Sequence, residues 1–89
     1  MNGSIQSQMQ VEHIPGEQRF IISKDDKVAL LEYSLDEHRR CYFNRTYVPF
    51  AMRGQGYAEL LVGAGLGWAR DQGYEIFANC WYVDKFLSD

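Results

Sequence analysis

Between Tyr47 and Arg70 the chain changes its repeat in one step. Up to Val48 the side chains alternate two by two, the period of a strand; from Ala58 apolar residues recur at three and four, the period of a helix. The seam reads "RGQG", Arg53 to Gly56. A strand that passes into a helix through bare glycines leaves the first N–H groups of that helix unpaired and open to close approach. Such a mouth carries about half a positive charge and suits an anion, phosphate above all. Arg53 adds a full charge and a fork of donors at its rim. Read alone, a Gly-x-Gly of this kind serves equally as a tight strand-to-helix turn. A Walker A loop is excluded, because no Gly-Lys-Ser/Thr follows, and the dinucleotide fingerprint lacks its βαβ unit and its acidic residue.

The rest of the chain fits around this seam. Residues 1–10, "MNGSIQSQMQ", are polar and read as a flexible lead-in; residues 11–89 read as one minimal domain. "VEHIPGEQRFIIS" predicts a hairpin turning at Pro15-Gly16. Lys24 to Lys27 form a charged turn, Val28 to Tyr33 a strand, and "DEHRR" a second turn. "CYFNRTYV" alternates as a strand, with Tyr42, Asn44, Thr46 and Val48 on one side and Phe43, Arg45 and Tyr47 on the other; Pro49 ends it. A helix from Gly54 to about Gln72 presents Ala58, Leu61, Val62, Gly65, Leu66 and Ala69 as its apolar stripe. Gly63, Gly65 and Gly67 each weaken it by roughly 1 kcal/mol relative to alanine, which points to close approach between helix and sheet. Gly73 caps it, "YEIFANC" is a further strand, and "WYVDKFLSD" a short terminal helix. The pattern is α/β: a mostly antiparallel sheet, one parallel crossover pair around the long helix, and a short C-terminal helix.

Composition narrows the function. With 89 residues, 46% of them apolar and 15% aromatic, the chain has enough for one packed core and too much for a disordered tail. A formal charge of -3 argues against a nucleic-acid partner and leans toward an amine or a basic peptide. The N-terminus lacks the basic flank and apolar run of a secretory signal, and no stretch is long and apolar enough to span a membrane. Cys41 and Cys80 make no disulfide framework. The expected setting is cytoplasmic and reducing.

With the seam and its surroundings read, a resemblance becomes specific. "RGQGYA", Arg53 to Ala58, resembles the R/Q-x-x-G-x-G/A pyrophosphate-binding motif of the GNAT acetyltransferases, with "YVP" before it and an amphipathic helix ending in "WARDQGY" after it. "CWYVDKFL", Cys80 to Leu87, is similar to the ending of the small, single-domain, cysteine-containing subgroup of that superfamily. The resemblance covers about Ala29 to Leu87. The chain departs from the subgroup's usual "HTEVP" in reading "RTYVP", with Arg45 and Tyr47 where a histidine and a carboxylate are common.

The resemblance implies acetyl-CoA as acyl donor and a small-molecule or peptidic amine as acceptor. It puts the pyrophosphate on the amides of Gly54, Gln55, Gly56, Tyr57 and Ala58 beside Arg53, and the pantetheine arm along the Thr46–Val48 edge. Cys80, at the end of the strand after the helix, faces the thioester and is a candidate nucleophile; it reads equally as a small buried apolar residue. Tyr82 is the candidate acid for the leaving thiolate, or else an aromatic lid on the core. Trp81 and Phe86 read as packing, and His13 and His38 as exposed turn histidines. No metal-ligand spacing exists. Two functions compete: an acetyl-CoA-dependent N-acetyltransferase working through acetyl-Cys80 or directly, and a CoA-binding or protein-interaction module with little catalysis. The sequence is silent on oligomeric state.

Overall fold

A computed structural model describes residues 11–87. The lead-in expected at 1–10 lies outside them. The elements run β1 (Glu12–Ile14), β2 (Arg19–Lys24), β3 (Lys27–Leu35), β4 (Arg40–Tyr47), α1 (Tyr57–Asp71), β5 (Glu75–Ala78) and α2 (Trp81–Leu87). Short 3-10 turns at Pro15–Glu17 and Phe50–Met52 link β1 to β2 and lead from β4 toward the glycine loop. The strands form one sheet in the order β1-β2-β3-β4-β5; the first three pairings are antiparallel and β4–β5 is parallel. A parallel neighbour requires a crossover, and α1 supplies it.

One face of the sheet carries the core. Cross-strand partners share a face, and the pairs Phe20–Leu31, Ile22–Ala29 and Tyr33–Phe43 are all buried. Against them α1 lays Leu61, Val62, Gly65, Leu66 and Ala69, positions separated by the one-, three- and four-residue steps that form one helical stripe. Close approach is real at Gly65, where an added Cβ would stand 2.7 Å from Leu31 Cδ2 and 3.0 Å from Phe43 Cε1. It is absent at Gly63 and Gly67, which look into open space. The three glycines do not share one cause, as the sequence reading had supposed.

Two further expectations change. β4 does not alternate throughout. Its register with β3 slips between Glu32 and Tyr33, so Asn44 has no partner and Phe43 and Thr46 lie on the same, helix-bearing face. The slip is a β-bulge, and one extra residue reverses the facing of everything after it. Asn44 is held aside by Ser34 Oγ at 3.0 Å and by the Asn79 amide at 2.9 Å. His13 is not an exposed turn residue either. Its ring stacks on Phe20 at 4.1 Å, meets Trp68 edge-on at 4.7 Å, and bonds the Tyr33 hydroxyl at 2.6 Å. The "DEHRR" turn is organised by Asp36, whose carboxylate accepts from the His38 and Arg40 amides and from Tyr42 Oη.

Candidate active site

The parallel pair opens the site. β4 and β5 stay in register from Arg40–Glu75 to Phe43–Ala78, and the Asn79 amide closes the ladder on the Phe43 carbonyl at 2.8 Å. Beyond that bond β5 leaves for α2, while β4 runs on to Tyr47 with β3 on only one side. The bulge that turns Thr46 toward the helix face falls at this parting, so the free edge of β4 and the mouth of α1 look into one gap.

The glycine loop forms one end of that gap. Gly54 and Gly56 have φ of +77° and +81°, the left-handed region that suits glycine, and Gly56 is the N-cap of α1 with no side-chain cap bond. A Cβ at Gly54 would meet nothing within 4 Å, so it is the backbone turn, not crowding, that asks for glycine there. The first N–H groups of α1 are left for water or a ligand. Arg53 lies across the loop, with its Nε donating to the Val48 carbonyl at 2.9 Å. Its guanidinium lies 5.8 Å from the centroid of Phe50, and its two terminal nitrogens make no hydrogen bond among the described residues. Gln55 does not line the gap; it braces the loop, accepting from Lys24 Nζ at 3.1 Å and donating to the Ala51 carbonyl. Tyr57 is buried in the core, with Lys24 Nζ 5.7 Å from its ring centroid.

Two adjoining clefts result. The first, of about 300 Å³, runs over Arg53, Gly54, Gly56, Tyr57 and Ala58 to Val48, Met52, Glu59 and Tyr82. The second, of about 390 Å³, continues past Val48, Arg53, Ala58 and Tyr82 to Thr46, Tyr47, Cys80 and Trp81. The residues common to both make them one continuous groove. Of the residues singled out in the sequence, Thr46, Val48, Arg53, Gly54, Gly56, Tyr57, Ala58, Cys80 and Tyr82 therefore line a single groove. Three were misread or missed. Trp81 is not packing: it is 73% exposed on the groove wall. Tyr47 lines the same wall, and Lys24 reaches the loop from the end of β2. The spacing Trp81–Lys85 was visible as an exposed helical pair; Lys24, thirty-one positions from Gln55, carried no local signal.

Cys80 sits at the start of α2, where its carbonyl takes the Asp84 amide at 3.0 Å. Its Sγ is 3.6 Å from Thr46 Oγ1. Partial burial pulls this thiol upward, but hydrogen bonding from the Thr46 hydroxyl and from the N–H groups of Val83, Tyr82 and Thr46 outweighs it, and the net shift is downward. Cys41 is the contrast: fully buried in the sheet, it is pushed up to about 11 by desolvation alone. Tyr82 is raised, first by burial and then by the Glu59 charge, so its phenol keeps its proton. No group of side chains able to hold a metal occurs among the described residues.

Residues 19–89 match the family described as GCN5-related N-acetyl-transferase. The chain belongs to the GCN5-related N-acetyltransferases. Within that family it is similar to curated relatives called Protein NATD1. The chicken protein (Gallus gallus) and the bovine one (Bos taurus) are each 30% identical over 84 residues. The alignments span 91% of this chain, and 76% and 74% of those proteins respectively. The human protein (Homo sapiens) is 29% identical, over 91% of this chain and 74% of its own length. The sheet order, the single parallel pair and the two helices are the GNAT-like architecture expected from the sequence, and the described residues contain no helix long and apolar enough to cross a membrane.

Proposed function

We propose that this GCN5-related N-acetyltransferase moves an acetyl group from acetyl-CoA to a primary amine by way of Cys80. The observation that carries the reading is the continuity of the groove: uncapped helix amides at one end, a one-sided strand along it, and a thiol held by hydrogen-bond donors at the other.

The donor brings an activated acyl group as a thioester. The amides from Gly54 to Ala58 and the free nitrogens of Arg53 would take the pyrophosphate charge, and Lys24 stands within reach of the same loop. Along β4 the backbone offers less than an unbroken edge. The Thr46 N–H is directed to the Cys80 sulfur and the Val48 carbonyl to Arg53. In an extended chain one residue's N–H and C=O point the same way, so the Thr46 carbonyl faces the gap and remains for an amide of the pantetheine arm.

Cys80, ionised among its donors, would attack the acetyl carbon. A carbon–sulfur bond forms on Cys80, the bond to the departing sulfur breaks, and that thiolate takes the phenolic proton of Tyr82. The neutral amine then attacks acetyl-Cys80. Cys80 leaves as a thiolate, the amine's proton returns to the Tyr82 phenolate, and both residues are restored.

The test is whole-protein mass spectrometry after incubation with acetyl-CoA alone. We expect one added acetyl group, lost on adding an amine and absent from Cys80→Ala. Unmodified wild-type protein that still transfers acetyl would assign direct attack by the amine. CoA binding without adduct or turnover would favour the other reading, a CoA-binding module.

A further inference from the structure

On the reading that the cleft beside Cys80 is where acetyl is transferred, we infer that its acceptor is an amine that also bears a carboxylate, recognised by cations seated on the aromatic walls. Tyr47, Trp81 and Tyr82 supply those walls, and among the described residues no Asp or Glu lines this cleft. Each ring already carries a cation. Lys85 Nζ lies 5.6 Å from the Trp81 centroid and 5.4 Å from that of Tyr82, because positions four and three residues apart on α2 meet on one side of the helix. Arg45 Cζ lies 5.6 Å from the Tyr47 centroid, two residues along β4 and on the same face. Arg53, on the cleft wall itself, donates its Nε to the Val48 carbonyl and lies 5.8 Å from the Phe50 centroid, with both terminal nitrogens free of hydrogen bonds among the described residues.

Acids stand near these cations too, Asp84 beside Lys85 on α2 and Glu32 beside Arg45, but neither lines the cleft. Glu32 approaches Arg45 at 3.7 Å, but it is held more closely by Arg19 at 3.0 Å. Glu59 lines the groove farther along, toward the glycine loop, where its charge reaches Tyr82. A chain with a formal charge of -3 thus gathers three cations around one aromatic cleft. A polyamine or lysine-rich segment would meet like charge beside each of these rings, whereas a carboxylate beside the reacting amine meets Arg45, Lys85 and Arg53. The acidic overall charge had suggested a basic partner; the local distribution reverses that.

Glutamate and glutaminamide share an amine and a shape and differ in their carboxylates. With acetyl-CoA as donor, kcat/KM is measured for both, for spermidine, and for an amidated peptide opening with Asp-Asp, which separates a free amino acid from a peptide source. We expect glutamate or the acidic peptide to exceed glutaminamide and spermidine by at least about tenfold. In Arg45→Gln/Lys85→Gln, and more strongly in Arg45→Glu/Lys85→Glu, KM for the acidic acceptor should rise about tenfold and that for glutaminamide should not. The glutamine pair keeps the test valid if charge reversal unfolds the chain. Calorimetric CoA titration of each protein separates the two levels. Failure of the wild type to bind CoA removes the transferase reading and this inference with it. CoA binding with equal or better use of spermidine or glutaminamide, or with no acceptor used at all, overturns the acceptor assignment alone.

Discussion

Cys41 and Cys80 carry the same thiol in opposite surroundings, and their reactivity should separate accordingly. Cys41 is sealed between sheet and helix and pushed up to about 11, while Cys80 meets one hydroxyl and three N–H donors that bring it below its ordinary value. Iodoacetamide should label Cys80 in the native protein with a rate that rises through a midpoint lower than a free thiol's, and leave Cys41 unlabelled until the chain unfolds. Thr46→Val removes the hydroxyl and should shift that midpoint upward; an unchanged profile would show that Thr46 does not hold the sulfur. A second residue-scale prediction concerns Gly56. Asparagine and aspartate both tolerate its φ of +81° better than most residues, but only aspartate adds a charge at the mouth of α1. CoA affinity should fall at least about tenfold further in Gly56→Asp than in Gly56→Asn. Equal affinities by calorimetry would move the pyrophosphate elsewhere.

At the scale of elements, α1 offers three glycines and two different outcomes. Gly63→Ala adds a methyl group in open space and should gain up to ~1 kcal/mol of helix propensity. Gly65→Ala drives the same group to 2.7 Å from a Leu31 methyl that is itself fully buried, so overpacking of about 1–3 kcal/mol offsets or exceeds that gain. Chemical denaturation should therefore place Gly63→Ala above the wild type and Gly65→Ala below it; the reverse order would deny the close contact. The sequence spacing revealed the glycines but not which one touches the sheet, because contact depends on α1's roll over β3 and β4. The same limit explains the rest. The helix, the hairpin, the parallel pair and the glycine mouth follow from local period and turn chemistry, and all appear in the structure. The bulge at Asn44 is a matter of register between two strands, invisible in either one alone. It carried Thr46 onto the face of Phe43, where strict alternation assigns it to the opposite one. Lys24 and Trp81 were missed for a related reason: their roles arise where separate elements meet the groove.

Across the whole molecule, one ring cluster ties the N-terminal hairpin to the crossover. His13 from β1 stacks on Phe20 of β2, bonds Tyr33 of β3 and abuts Trp68 of α1, which in turn packs on Tyr74 ahead of β5. A charge on His13 would act on β1, β2, β3 and α1 at once. Burial lowers its pKa in the folded chain, while the unfolded chain titrates near ~6.5. Between those values the unfolded state binds the extra proton, so stability is fully present above about 6.5 and is lost as pH falls from there toward the lowered folded value. Asp36 does not intrude on this window. Although its own desolvation opposes the shift, the His38 and Arg40 amides, Tyr42 and the Arg40 charge hold it below its ordinary value, so its contribution is lost only at pH below about 3.9. The other groups facing His13 are a phenyl, an indole and a phenol whose pKa burial raises, none of which changes charge in this range. Melting temperatures measured from pH 7.5 down to 5.5 should fall in the wild-type chain and fall less in His13→Phe, which keeps the stacked ring and removes the titrating nitrogen. Parallel curves for the two proteins would show that His13 bears its proton as readily folded as unfolded, and that the cluster gives way locally around it.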